Sequence, residues 1–458
     1  MSVVVDTIAA VATPPGPGAL ATVRISGPGA HGVLKALSPE LDPLPAPRVA
    51  TVVALRDPTD GSRLDRTGAI RYDAPASFTG EDMVELSCHG GWLVPVLVLE
   101  ACLAAGCRQA EPGEFTRRAY LHGKMDLVQA EAVADLAGAR SRAFHRVALA
   151  QLERGLSDRL AALREAIVRL EALLAHHVDF PEEDDAPVPV GMIASEGEVV
   201  ADRIAALLGT APEGELLREG ALAVLAGRPN VGKSSLYNAL LGMERAIVTE
   251  EPGTTRDALE AVVQLGGYPF RLVDTAGLRD TSNRVERLGV EVARRYLERA
   301  DVVLFCSEAG TELGNEERRF LDELPPVPAV WVETKSDLAC GCGGGAPDWR
   351  AFAGRVSVSV KDGSGLAELR SLLPQLVYSR LLEAGDEAPV VTRRRQARSL
   401  GRAREEVQGF VRAVRDGVPA ELASTHLKAA ESALEDLLGA VSVEDVLDAV
   451  FREFCVGK

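Results

Sequence analysis

The sequence predicts a multidomain chain, α/β plus all-α, in which a central helical domain is interrupted by an inserted α/β unit. Three observations predict it. Residues 1–120 mix Pro and Gly with short β-branched runs at Ser2–Val5, Ala21–Ile25, Val49–Leu55 and Met83–Leu86, the texture of an N-terminal α/β domain. Leu156, Leu160, Leu163, Ile167, Leu170 and Leu174 then recur at alternating spacings of four and three, which is one apolar face of a long helix. Between this helix and a second helical pattern beyond Leu400, the apolar run Ala221–Ala226 leads into a glycine-rich turn.

At 458 residues the chain is long enough for two to four domains at roughly 100–200 residues each. A hydrophobic share of 47%, with 26% charged and 4% aromatic residues, excludes a disordered, collagenous or membrane-embedded protein. The net charge of −17 repels polyphosphate, so any contact with nucleic acid falls to a local patch or to a partner. The first basic residue is Arg24, and Pro14, Pro15 and Pro17 interrupt the N-terminal apolar stretch, so no secretory signal is read. The longest apolar run, Trp92–Leu99, is too short for a membrane span, and a cytoplasmic protein is expected. Seven scattered cysteines read as free thiols. Cys340 and Cys342 lack the further ligands of a structural zinc site and read as a surface loop.

Taken in order, the elements divide as 1–120, 121–217, 218–378 and 379–458. The long helix runs into Asp179-Phe-Pro-Glu-Glu-Asp-Asp185, where a proline and a block of acids predict a solvated loop. Helical spacing resumes at Leu400–Val414, Leu427–Val441 and Val446–Phe454. Neither helical stretch can bury its stripe alone, so the two are expected to pack together, with the α/β unit inserted between them.

That unit carries chemistry. Gly227-Arg-Pro-Asn-Val-Gly-Lys-Ser234 fits a phosphate-binding loop, preceded by a strand and followed by a helix-compatible run, Ser235–Leu241. Its glycines let Asn230, Val231 and Gly232 turn backbone amides on phosphate oxygens; Lys233 supplies charge to the β- and γ-phosphates, and Ser234 can ligate Mg²⁺. Gly253-Thr-Thr-Arg256 offers the hydroxyls of Thr254 and Thr255 to metal and γ-phosphate. The preceding Thr249, Glu250, Glu251 and Pro252 are counted with the nucleotide-binding segment. Asp274-Thr-Ala-Gly277, after a strand at Phe270–Val273, places a carboxylate near the metal, with Thr275, Ala276 and Gly277 near the γ-phosphate. Thr334-Lys-Ser-Asp337, after a strand at Val327–Val332, supplies Asp337, whose two oxygens can accept the N1–H and 2-amino hydrogens of guanine. Lys335 belongs to the same loop, and Ser359, Val360 and Lys361 back the base. Five elements in this order predict a Ras-like P-loop G domain and GTP as substrate. Thr334 stands where Asn is usual, retaining a hydroxyl for neighbouring loops. Leu278 follows Gly277 and cannot position water, so hydrolysis needs another group, with Glu286 a candidate.

These motifs, together with Asp6-Thr-Ile-Ala-Ala-Val-Ala-Thr-Pro-Pro15, Phe78-Thr-Gly-Glu-Asp82, Cys88-His-Gly-Gly91, Pro112-Gly-Glu-Phe115 and the terminal Phe454-Cys-Val-Gly-Lys458, resemble the tRNA-modification GTPases of the MnmE (TrmE) family from residue 6 to residue 458. The resemblance implies an N-terminal folate-binding domain, a helical domain interrupted by the G domain, and a homodimer. It implies a heterotetrameric complex with the flavin-dependent MnmG protein, tRNA being held mainly through that partner and no membrane being involved. The activity implied is a K⁺-activated GTPase that uses a folate one-carbon unit to form 5-aminomethyl or 5-carboxymethylaminomethyl uridine at the tRNA wobble position. The folate is 5-formyl- or 5,10-methylene-tetrahydrofolate, and its contacts fall on Arg24, Glu85, Lys124 and Lys458. K⁺ ligands fall on Asn230, Thr249, Glu251 and Thr254, Mg²⁺ ligands on Ser234 and Thr255, and the catalytic carboxylate on Glu286. In Gly16-Pro-Gly18, proline replaces a basic residue frequent in the family.

Two other readings stand beside this one. A ribosome-assembly GTPase switch would add a basic RNA module, which neither the helical C-terminus nor the net charge suggests. A self-sufficient folate-dependent aminomethyltransferase with a regulatory GTPase would need no flavoprotein. Cys455 has no adjacent base to activate it, and His89 reads as a turn or pocket-wall residue.

Overall fold

The computed structural model describes residues 6–179, 189–243, 260–274, 293–324, 326–338, 352–385, 388–439, 444–452 and 454–458. They form two compact units: Met1–Ala137 with Leu152–Ser157 and Leu434–Lys458, and Gly138–Gln151 with Asp158–Ala433.

The first unit is a six-stranded sheet of β1 (Ile8–Val11), β2 (Gly16–Ser26), β3 (Thr51–Arg56), β4 (Arg63–Tyr72), β5 (Met83–Gly91) and β6 (Arg108–Gln109), ordered β3-β4-β5-β2-β1-β6. All pairings are antiparallel except β1 with β6. Alternation along β2 buries Val23 and Ile25 beside Leu34 and Leu37 of helix Ala30–Leu37 and Val98 and Cys102 of helix Val94–Ala104, the one-sided burial expected of an antiparallel sheet. The run Trp92–Leu99 is thus mostly the start of a covering helix, with Trp92 and Leu93 left exposed.

The end of the chain belongs to this unit. Helix Glu444–Phe451 stops short of the predicted Phe454, which instead packs with Leu127, Ala130 and Leu447. Pro112 and Val456 form an antiparallel bridge. A Cβ on Gly457, at φ +92°, would lie 2.7 Å from the Val11 carbonyl oxygen, so the tail reaches β1 only because this residue is glycine.

Inside the same unit the nearly buried Arg118 gathers three carboxylates. It bonds Asp6 at 2.7 Å, Glu81 at 3.2 Å and Glu114 at 3.0 Å, while Arg108 bonds Asp6 at 2.7 Å and Glu114 at 2.6 Å. Burial alone would push the Glu114 carboxyl up, but hydrogen bonds from Arg108, the Glu111 amide and Arg118 hold it below the usual range. Asp6 is lowered by the same balance of burial against Arg108 and Arg118.

The second unit holds β7 (Ala221–Ala226), β8 (Glu260–Leu265), β9 (Tyr268–Asp274), β10 (Val302–Glu308), β11 (Ala329–Thr334) and β12 (Gly354–Ser357) in the order β12-β11-β10-β7-β9-β8. Only β8 runs antiparallel. Strand β7 is wholly buried, the continuous apolar run of a strand covered on both faces. The periodic leucines form helix Gly155–Asp179, and all six predicted positions from Leu156 to Leu174 are buried. Helix Val190–Leu208 packs on helix Arg394–Arg415, closely enough that a Cβ on Gly197 would lie 2.7 Å from Val411. Arg164 pairs with Glu431 of helix Ala420–Leu438 at 2.6 Å. Helical segments from either side of the α/β sheet therefore do pack in one unit. Observed ends differ from those read in the sequence: Ala420–Leu438 begins seven residues before Leu427, because its first turns bury only the small Ala423 and leave Leu422 exposed, a weak apolar signal. Among the described residues no helix is long and apolar enough to cross a membrane.

Arg118→Ala is expected to lower the unfolding free energy by about 3–5 kcal/mol, because it leaves Glu81 without its cation and takes one of two arginines from Glu114. Asp6 and Glu114 titrate lower in the fold than when unfolded, so their contribution is complete above about pH 5 and is lost as pH falls below about 4. Thermal unfolding across that range should show a steeper acid limb in the wild type than in the variant. A variant as stable as the wild type at neutral pH would contradict the assignment.

Candidate functional site

In an open parallel sheet a ligand binds beyond the carboxyl ends of the strands, where the strand order reverses. Here that point is β7, which lies between β10 and β9. The phosphate-loop sequence follows β7 directly, Asp274 ends β9, Thr334 ends β11, and Ser359 follows β12, so four separated sequence motifs reach the same edge.

The loop's shape is set by backbone sterics. Gly227 takes φ +135°, and a Cβ there would lie 2.2 Å from the Cys306 carbonyl oxygen. Asn230 at φ +62° and Gly232 at +102° turn the chain so that helix Lys233–Met243 begins at the phosphate position, its N-terminal amides available to an anion. Lys233, almost fully buried, donates to the Gly227 carbonyl at 2.9 Å and the Arg228 carbonyl at 2.6 Å. The Ser234 hydroxyl donates to Asp274 at 2.6 Å. A hydroxyl and a carboxylate side by side are the hard-oxygen donors that Mg²⁺ prefers, so the residues present fit that ion. Burial pushes the neighbouring Cys306 thiol up to about 12, which makes it a packing residue rather than a nucleophile.

Strand β11 runs two residues further than the predicted Val327–Val332 and ends on Thr334, whose side chain is therefore buried. Its hydroxyl contacts the Val231 carbonyl of the phosphate loop and donates toward the Ser307 carbonyl at 3.0 Å. Thr334 thus joins the base loop to the phosphate loop. Lys335 takes φ +56° and pairs with Glu308 at 3.2 Å. Asp337 lies exposed in the turn Ser336–Leu338. The Ser336 amide donates to the Val358 carbonyl, which ties this turn to the loop of the buried Ser359, the half-exposed Val360 and the exposed Lys361.

In the first unit Arg24 and Glu85 are cross-strand neighbours of β2 and β5, bonded at 2.9 Å. Tyr72 donates to the other Glu85 oxygen at 3.1 Å, and the Arg24 guanidinium stands 5.5 Å over the Phe78 ring, a cation–π distance. Glu81, bonded to Arg118 and to Ser26, pins the loop that presents Phe78. A carboxylate beside an arginine and an aromatic ring suits a flat heterocycle with a donor edge and an anionic tail. Lys124 donates to the Pro75 carbonyl at 3.0 Å and lines a separate cavity of about 440 Å³ with Tyr120, Asp126, Arg154 and Gly439. Lys458 follows Gly457 against Val11 and Ala12, opposite the segment of β2 that carries Arg24. Neither lysine is bonded to the Arg24–Glu85 pair. Thr249, Glu250, Glu251, Pro252, Gly253, Thr254, Thr255, Thr275, Ala276, Gly277, Leu278, Glu286 and the Cys340–Cys342 loop lie outside the described residues.

The sequence did not disclose Tyr72, which sits in a strand with few apolar residues, or the joint role of Asp6, Glu81 and Glu114. Each acid lies in a quoted motif, which was the only signal. Elsewhere in this unit, His89 pairs with Asp65 at 2.7 Å, and Cys455 is exposed. His31, Asp73 and Asp82 offer ligand atoms within 4.8 Å of one another, but Arg71 already pairs with Asp73 at 3.1 Å, as in an ordinary ion-paired cluster.

Residues 127–455 match the MnmE helical domain, and residues 7–124 match the GTP-binding protein TrmE N-terminus. The tRNA modification GTPase MnmE of Heliobacterium modesticaldum is 42% identical, with 99% of each chain covered. That of Moorella thermoacetica is 41% identical, again over 99% of each chain, and that of Neisseria meningitidis serogroup B is 41% identical over the whole of both. The solved Era complex with MgGDPNP and nucleotides 1506–1542 of 16S ribosomal RNA matches 34% of this chain and 56% of its own, at 25% identity and a TM-score of 0.27, a likeness that says nothing by itself about activity. The signatures at both ends, the nucleotide loops and the full-length similarity agree: the chain belongs to the tRNA modification GTPase MnmE family.

Proposed function

We propose that this chain is a K⁺-activated GTPase which, with a flavin-dependent partner, directs a folate one-carbon unit to C5 of the wobble uridine of tRNA. The observation that carries the proposal is the presence, in one chain, of the nucleotide loops around β7 and of the Arg24–Glu85 pair.

In this reading Lys233 neutralises the β- and γ-phosphates, and Ser234 with Thr255 holds Mg²⁺, which would offset phosphate charge when bound. Asp337 accepts from the guanine N1–H and 2-amino group, while Thr334 keeps the base and phosphate loops in register. Asn230, Thr249, Glu251 and Thr254 would hold K⁺, which would supply the positive charge that other GTPases take from an arginine. With Leu278 unable to orient water, Glu286 takes that role, orienting and polarising the attacking water. In the N-terminal unit Glu85 accepts from the pterin edge, Arg24 and Lys124 face the glutamyl carboxylates, and Lys458 closes the site from the chain's end. Homodimerisation, the MnmG heterotetramer, tRNA contact mainly through that partner and cytoplasmic localisation belong to the same proposal. The ribosome-assembly alternative gains no support from any geometry in the N-terminal unit.

GTP turnover at saturating substrate should be about tenfold or more faster in KCl than in NaCl at equal ionic strength. Under the same conditions Glu286→Ala should keep GTP binding but lose about 10²-fold in turnover. Steady-state hydrolysis checks both, and equal rates in the two salts would remove K⁺ from the mechanism. Calorimetric titration of 5-formyl-tetrahydrofolate should show Glu85→Ala binding about tenfold or more weakly, since the donor edge loses its charged acceptor. Unchanged affinity would place the folate elsewhere.

A further inference from the structure

The second position of the phosphate loop has no place in the nucleotide chemistry described so far, yet its half-exposed side chain has a buried partner. Arg228 turns away from the loop and bonds Glu317 at 2.8 Å. That Glu317 side chain is only 8% exposed, and the same oxygen accepts from the Gly314 amide at 2.7 Å, closing the first turn of helix Asn315–Asp322. Gly314 is crowded in turn, since a Cβ there would lie 2.1 Å from the Arg228 guanidinium. On its main-chain side Arg228 offers its carbonyl to Lys233 at 2.6 Å, while Gly227 is pressed against the end of β10. The loop's first half is thus held at two points, by the Cys306 carbonyl under Gly227 and by Glu317 on Arg228. Both anchors flank a single segment, the one that runs from β10 into helix Asn315–Asp322.

We propose that Arg228 is a positioning residue of the phosphate loop that acts through Glu317, and that helix Asn315–Asp322 thereby governs nucleotide release. A loop with three residues at positive φ has alternatives to fall into when unanchored. Fixing the Arg228 carbonyl keeps Lys233 aimed before a nucleotide arrives, and such preorganisation shows chiefly in the dissociation rate. The proposal rests on Gly227–Ser234 being the phosphate loop of the GTP site.

Dissociation of a fluorescent GDP from the full chain, chased with excess GDP, tests it. Glu317→Gln keeps an acceptor for the Gly314 amide and deletes only the charge. It should speed dissociation by about five- to tenfold, with the thermal midpoint unchanged and turnover at saturating GTP altered less than the dissociation rate. Arg228→Ala should do the same, Arg228→Lys should recover part of the loss, and the double variant should dissociate no faster than the faster single one. Dissociation from Glu317→Gln at the wild-type rate, or a double variant showing the product of the two single effects, would overturn the proposal. Lys233→Ala binding GDP as tightly as the wild type would overturn the placement of the phosphate loop itself, a distinct failure.

Discussion

The contact on which the architecture depends is the one between the two ends of the chain. Val456 bridges Pro112, Gly457 lies against Val11 and Ala12, and Phe454 fills the cluster around Leu127. Once residues 454–458 are bonded to the first 130, the intervening chain must leave that unit and return to it. Short apolar stripes on helices that could not be buried alone find cover among segments separated by the whole nucleotide-binding sheet. Closure of the ends is what makes the G domain an insertion.

Within the inserted sheet one constraint recurs: backbone must meet backbone more closely than a side chain allows. Gly227 against Cys306 and Gly365 against Ser357 both draw loops onto strand ends. The result is an edge where the adjacent Lys233 and Ser234 meet Asp274, 40 residues further along the chain, with Asp337 in a turn tied to the loop after β12. Thr334, at the end of β11, places its hydroxyl against the Val231 carbonyl and so links this strand end to the loop after β7.

The nucleotide site was legible because its chemistry is local: a phosphate loop needs its glycines and lysine within eight residues. Asp274, Thr334 and Ser359 could be placed because each follows an apolar strand. The N-terminal unit was far less legible. Strand β4 alternates weakly, and a polar strand such as Arg63–Tyr72 gives no hydrophobic period to read. The Arg118 network joins Asp6, Glu81 and Glu114 over separations of 112, 37 and 4 residues, and no single-sequence pattern encodes such a convergence. The motifs that signalled the family at residues 6, 81 and 114 contain the acids that meet on this one arginine, so part of that signature records the unit's stability.

In the proposed function the loops at the ends of β7, β9, β11 and β12 form one guanine-nucleotide site read by Asp337. The most direct measurement is the base preference of nucleotide diphosphates in wild-type protein and Asp337→Asn. An amide in place of the carboxylate loses an acceptor for the guanine 2-amino group and gains a donor for the 2-carbonyl of xanthine. The wild type should bind GDP and reject both ADP and xanthosine diphosphate, and the variant should reverse the order of the two oxopurines. A variant that kept the wild-type preference for GDP would contradict that role for Asp337.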